Sequence, residues 1–266
     1  SLEKKVAIDT NGKLDIAVLN LPHISNFTDF DPLEREDIVS LRYIKEANAV
    51  GNPHVLIIPG SKNTIEDLNY LKSKGYLDEI KRLEKNGGTI VGICGGFQML
   101  GKTISDHYGV ESSRESIEGL GLLDMETQFE NKKTTFQVEA EEIKDEDKKK
   151  SPEVVRGYEI HMGKTKLNSA KSLFKIKKRS GKKCLVYDGA VCRDGKVWGT
   201  YIHGVFDNDR FRRKFLHKIS KKENLPIKKT AGDFEYDTFK EEQYDKLADL
   251  VRKNLDMKQI YKLVGS

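Results

Sequence analysis

The chain has 266 residues, enough for one large domain or two small ones with a sizeable core. With 37% hydrophobic and 33% charged residues it reads as a soluble globular protein, and no apolar run approaches the roughly 18 residues that a membrane span needs. A net charge of +5, spread as lysines among nearly as many acids, shows no nucleic-acid footprint; three cysteines without metal-ligand spacing argue for a reducing, cytosolic setting over a disulfide framework.

Residues 1–13 form a polar lead-in. LDIAVLNLP (14–22) is the first predicted strand and DIVSLRYI (37–44) the second. HVLIIPGS (54–61) is a buried-type strand that ends at Pro59-Gly60. Helical spacing follows through Ile65, Leu68, Leu71, Leu77, Ile80 and Leu83, punctuated by Gly75 and stopped at Gly87-Gly88. TIVGIC (89–94) is another buried strand, and GGFQMLGK (95–102) opens a helix. The alternation predicts an α/β fold with a mostly parallel central sheet flanked by helices. The second half adds strands: GLLDMETQF, TTFQVEAEEI, GYEIHMGKTKL, CLVYDGAVC and KVWGTYIHG, parted by turn-like or charged stretches. EEIKDEDKKK (141–150) reads as a solvated loop. Two helical segments, around 208–222 and 239–264, close the chain. The expected division is a lead-in over 1–13, a body over 14–222 and a helical extension over 223–266.

Cys94 lies where a buried strand turns sharply into a helix, bracketed as Gly92-x-Cys94-Gly95-Gly96. A nucleophile elbow needs small neighbours at such a turn, and the helix N-terminus favours thiolate over thiol. The Gly95 amide faces the same space and is a candidate oxyanion donor; Gly60, in a second strand-to-helix turn, is a candidate for another. A thiol nucleophile needs a base. Among six histidines, His203 ends a strand and is followed by glycine, at the sheet edge where sites form. His161 is the runner-up, on the same strand face as Glu159. No phosphate-binding G-x-x-x-x-G-K-[ST] occurs, so nothing visible in the chain activates an acid with ATP.

GICGGFQMLG resembles the nucleophile motif of class I (triad-type) glutamine amidotransferases. PGSKNTIEDL, GYEIHMG, GTYIHGVFDN and ISNFTDFDPL (24–33) narrow the resemblance to the glutaminase domain of cobyric acid synthases, enzymes of cobalamin biosynthesis. It runs from residue 1 to about 220, and more loosely to the end. The resemblance implies a flavodoxin-like fold and hydrolysis of glutamine to glutamate and ammonia. Cys94 would form a glutamyl thioester, His203 would protonate the departing ammonia and activate water, Gly60 and Gly95 would form the oxyanion hole, and Gln98 would help hold glutamine. It further implies an ATP-binding synthetase domain, fused or separate, using ATP and Mg to amidate adenosylcobyrinic acid a,c-diamide. Residues 1–13 would be the linker from that domain, and this chain itself would need no metal or other cofactor.

One position departs from the wider class. Where most triad enzymes carry His-Pro-Glu, this chain reads His203-Gly204-Val205, so the acid that orients the base is missing there. Three sources stay open: Glu159, ranked first; Asp207; or the synthetase domain. Competing readings are the amidotransferase of cobyrinic acid a,c-diamide synthase or of the lipid II amidating complex, a docking module with an inert thiol, and a small cysteine peptidase. Release of glutamate from glutamine separates the last two from the rest.

Overall fold

Uninterrupted apolar strands need cover on both faces, and the first half of the chain is built that way. Strands β1 (Leu14–Leu19), β2 (Val39–Ile44), β3 (Val55–Ile58) and β4 (Thr89–Ile93) pair in parallel in the order β2-β1-β3-β4. Every residue of β1, β3 and β4 is buried. Helices α1 (Thr64–Ser73) and α2 (Tyr76–Lys85) connect β3 to β4. They are parted at Gly75, whose φ of 81° a side chain would strain. After β4 a single residue, Cys94, turns the chain into the short helix α3 (Gly95–Met99). The sequence predicts these strands and helices, but 54–61 is shortened to Val55–Ile58, with Gly60–Ser61 pairing instead with Ile24–Ser25, and the helix expected over 95–102 ends at Met99. The computed structural model describes residues 12–112, 115–143, 152–225 and 234–265.

The second half builds a separate, mostly antiparallel sheet from β5 (Met125–Glu142), β6 (Val154–Leu167), β7 (Phe174–Arg179) and β8 (Lys182–Asp188). Two strands expected within 121–143 are one 18-residue strand. The charged run between them reads as a turn but is absorbed as a bulge. His161 of β6 faces Thr134 of β5, whereas Gly163 faces Phe129, so residues 130–133 stand opposite Met162 alone. CLVYDGAVC likewise divides: β8 stays in this sheet, while Ala190–Val191 crosses to the first. Gly189 makes the crossing at φ 68°, with the Gly199 carbonyl 2.5 Å from where a Cβ would stand. Strand β9 (Val197–Thr200) then lies parallel beside β4, and Ala190–Val191 pairs antiparallel with β9 at the sheet edge.

Beyond β9 the chain bonds the two sheets together. His203 N donates to Tyr158 O at 2.8 Å, and Tyr158 N donates back to His203 O at 3.2 Å. Helix α4 (Asp209–Lys222) is fixed by Arg212, whose fully buried guanidinium holds Glu36 at 2.7 Å and Asp209 at 2.6 Å. Helices α5 (Tyr236–Asn254) and α6 (Met257–Val264) follow. The sequence's single segment over 239–264 is thus two helices, broken at Leu255-Asp256 where the backbone turns extended. Helix α5 docks through Tyr236 N on Asp209 at 3.1 Å and Lys240 on Asp207 at 3.2 Å. Residues 1–11 of the expected linker lie outside the described residues. No described helix is long and apolar enough to cross a membrane.

Candidate active site

Cys94 sits at φ 50°, ψ −107°, a backbone conformation that L-residues rarely adopt. The glycines around it explain how this turn closes. A Cβ on Gly96 would stand 2.0 Å from the Ile58 carbonyl oxygen, and one on Gly92 would stand 2.7 Å from Gly96. Helix α3 can therefore approach β3 and β4 only without side chains there. The Cys94 amide is tied to Thr200 O at 2.8 Å, and its thiol lies 3.6 Å from Ile160 O. Gly95 packs against the turn that carries Gly60: the Ser61 amide nitrogen lies 3.0 Å from where a Gly95 Cβ would be. Gly60 in turn lies against His203, with Cε1 3.3 Å from its own virtual Cβ. Both glycines expected as oxyanion donors thus border the thiol's surroundings, and Ser61 brings an amide to the same place.

His203 is fully buried and lines the same cleft as the Cys94 thiol. Its Nδ1 lies 2.7 Å from Asp29 Oδ2, and the other Asp29 oxygen accepts Gly204 N at 2.9 Å. Asn26 Nδ2 stands 3.0 Å from His203 Nε2. Burial alone would lower the imidazole pKa; the hydrogen bonds and negative charge of Asp29 and Cys94 outweigh it and raise the pKa to about 10. A carboxylate on Nδ1 fixes the tautomer and the orientation of the ring.

This arrangement corrects the ranking of acids made from sequence. Glu159 is buried but turns to Arg179, with its Oε1 2.7 Å from Nε, and to His161 Nε2 at 3.7 Å. Strand pleating explains it: Glu159 and His161 share one face, while Tyr158, the residue before Glu159, faces the other way and stacks on His203 at 5.1 Å. Asp207 pairs with Lys240 of α5. The acid on His203 is Asp29, 174 residues before it in the chain. It is presented by the one-turn helix Phe27–Phe30 inside the ISNFTDFDPL motif. No spacing rule links the two residues; the visible signal is an acid ahead of Pro32 in a stretch already singled out.

A cleft of about 300 Å³ opens over these groups, lined by Cys94, His203, Gln98, His161 and Ile160 among others. The bulge at Met162 carries Ile160 and His161 to its wall. Gln98 is held at both ends, accepting from Thr64 Oγ1 and donating to Tyr201 Oη, each at 3.2 Å. His161 lies flat on Tyr201, ring centroids 3.8 Å apart, and its Nδ1 is 2.7 Å from Gly163 O. It forms part of the cleft wall, which His203 also lines. Cys184 and Cys192 lie outside the cleft, and burial pushes the Cys192 thiol pKa up. No metal-binding group of three or more His, Cys, Asp or Glu occurs among the described residues.

Many known proteins resemble this chain. At 17% identity the chain resembles PurLQS from Thermotoga maritima, with a TM-score of 0.58, covering 78% of this chain and 99% of that one. A second solved structure, a glutamine amidotransferase 18% identical, has a TM-score of 0.54 and covers 77% of this chain and 98% of its own. These likenesses establish the fold. Cobyric acid synthase of Thermoanaerobacter sp. (strain X514) is 49% identical over 260 residues, 96% of this chain and 51% of that protein. That of Clostridium novyi (strain NT) is 47% identical over 263 residues, 98% of this chain and 50% of that protein. The chain therefore spans about half the length of the curated relatives it matches. The model of the CobB/CobQ-like glutamine amidotransferase domain matches residues 15–211, from β1 into α4, and the chain belongs to that family.

Proposed function

We propose that this chain is the glutaminase of an ATP-dependent amide ligase, supplying ammonia for amidation of a corrinoid carboxylate. The observation that carries the glutaminase chemistry is that Cys94, at the strained end of β4, shares a cleft with His203, whose imidazole is held by Asp29. The Cys94 thiolate attacks the side-chain amide carbon of glutamine, and the carbonyl electrons move onto oxygen. Amides of Gly95 and the Gly60–Ser61 turn receive that oxyanion. His203, protonated and held by Asp29, gives its proton to the leaving nitrogen; ammonia departs and a glutamyl thioester remains. Neutral His203 then takes a proton from water, the hydroxide attacks the thioester, and glutamate leaves as the thiolate re-forms.

The acceptor reading rests on relatives twice as long as this chain that are named cobyric acid synthases. ATP and Mg belong, in this reading, to the synthetase portion, which is fused or separate. The test uses a glutamine analogue carrying a γ-diazoketone. It should alkylate Cys94 alone and leave Cys184 and Cys192 free, as mass spectrometry of the digested protein reads directly. Cys94→Ser should hydrolyse no glutamine while melting as the wild type does. Labelling at Cys184 or Cys192, or turnover by Cys94→Ser, overturns the assignment.

A further inference from the structure

Thioester chemistry leaves one carboxylate in the cleft without a task. Glu111 Oε2 accepts the Thr64 amide at 2.6 Å, and Thr64 Oγ1 lies 3.5 Å from Glu111 Oε1 and 3.2 Å from Gln98 Oε1. Glu111 is placed there by a second carboxylate. Asp106 accepts the amides of Val110, Glu111 and Ser112 at 2.7, 2.8 and 2.9 Å, which fixes the loop that carries it. Glu111 shares the capping of α1 with Asn63, which accepts the Glu66 amide at 3.1 Å, and a carboxylate that takes the Thr64 and Ile65 amides keeps further lone pairs for a ligand. The carboxylate lines the same cleft as Cys94, with Lys133 also lining it. Lys133 reaches the cleft because the bulge in β5 sets residues 130–133 opposite a single residue of β6.

Distance relates Glu111 to the nucleophile. Thr64 Oγ1 stands 3.1 Å from the virtual Cβ of Gly95, so one side chain separates the residue after Cys94 from Glu111. A glutamine whose amide carbon rests on Cys94 has its α-carbon three bonds farther along. Resting on the glutaminase reading above, we propose that Glu111 binds the α-ammonium of L-glutamine and makes the site specific for a free α-amino acid, with Lys133 meeting the α-carboxylate. Burial raises the empty-site Glu111 pKa to about 7 against the lowering effect of the Thr64 and Ile65 amides. An arriving ammonium stabilises the ionised form. The groups facing Glu111 are those amides, the Thr64 hydroxyl, Gln98 and Asp106, with Lys62, Lys133 and His161 also lining the cleft. KM for glutamine should accordingly fall as pH rises through about 7.

The test compares L-glutamine with glutaramate, which carries hydrogen in place of the ammonium, on wild type, Glu111→Gln and Glu111→Asp. Glu111→Gln should raise KM for L-glutamine about 10–100-fold, the scale of a lost hydrogen bond to a charged group, with kcat nearly unchanged and glutaramate turnover unaffected. Glu111→Asp should recover part of the preference. Equal losses on both substrates would show that Glu111 only shapes the loop, and an unchanged KM would remove it from recognition; either overturns the proposal. If Glu111→Gln does not fold, the wild-type KM decides: it must vary with pH through about 7 for L-glutamine and not for glutaramate. Wild-type protein that hydrolyses neither compound defeats the glutaminase reading itself, a different result from any of these.

Discussion

A histidine sealed from water usually gives up its proton, yet His203 is held protonated because Asp29 and the Cys94 sulfur surround it with negative charge. Asp29→Asn keeps a group of the same shape and removes the charge. We expect kcat for glutamine to fall roughly 10²–10⁴-fold with little change in KM, because the group acts through the base and not on the substrate. A loss in KM alone would show that Asp29 shapes the pocket without steering the proton. The same pair sets a stability signature. The His203 pKa is raised from 6.5 to about 10, so its contribution to stability is complete below about pH 6.5 and is lost as pH rises through about 10. The melting-temperature gap between wild type and Asp29→Asn should therefore be widest near pH 6 and close above pH 10. A gap that widens with pH would mean that the imidazole is neutral in the folded protein.

The junction of β4 and α3 stores strain in order to display a thiol. A non-glycine residue at φ 50°, ψ −107° costs on the order of 1–3 kcal/mol, which the surrounding packing of Gly92 and Gly96 must sustain. Two inactive variants separate that strain from the lost sulfur. Cys94→Gly should be more stable than Cys94→Ala by about 1 kcal/mol, since only alanine carries a Cβ in that conformation. Equal denaturation midpoints for the two would show that the turn is unstrained. This elbow was legible in the sequence because its causes are local: a buried strand, a thiol and glycines on both sides. The parallel sheet was legible for the same kind of reason, as β1, β3 and β4 are short runs buried on both faces. The partner of His203 was not. Asp29 and His203 meet only after the chain has built both sheets, and no periodicity records a contact across 174 residues. The alternation that correctly set Glu159 and His161 on one face could not say that Tyr158, facing the other way, is the residue against His203. The long strand β5 was hidden because a charged bulge and a turn have the same composition.

At the scale of the whole molecule, the site depends on distant segments held in one frame. Asp29 comes from the segment between β1 and β2, Cys94 from the end of β4, His203 from beyond β9 and Ile160 from the second sheet. Two devices hold these together. The Tyr158–His203 backbone pair joins the sheets, and the buried Arg212–Glu36 pair ties α4 to the segment just after Asp29. All three members of the charge alignment therefore lie within this chain, although its curated relatives are about twice as long. Had the base lacked an acid here, the remaining half of such a protein would have had to supply one. With Asp29 in place the imidazole is already oriented, and the expected consequence is that this chain hydrolyses glutamine alone. Adding the remaining half of a relative should raise kcat by less than about tenfold, well short of the roughly 10²–10⁴-fold that a missing member of the proton-transfer apparatus would restore. Glutamate release measured with and without that half decides the point. An increase above about 10²-fold would mean that the Asp29–His203 pair is incomplete without a group from outside this chain.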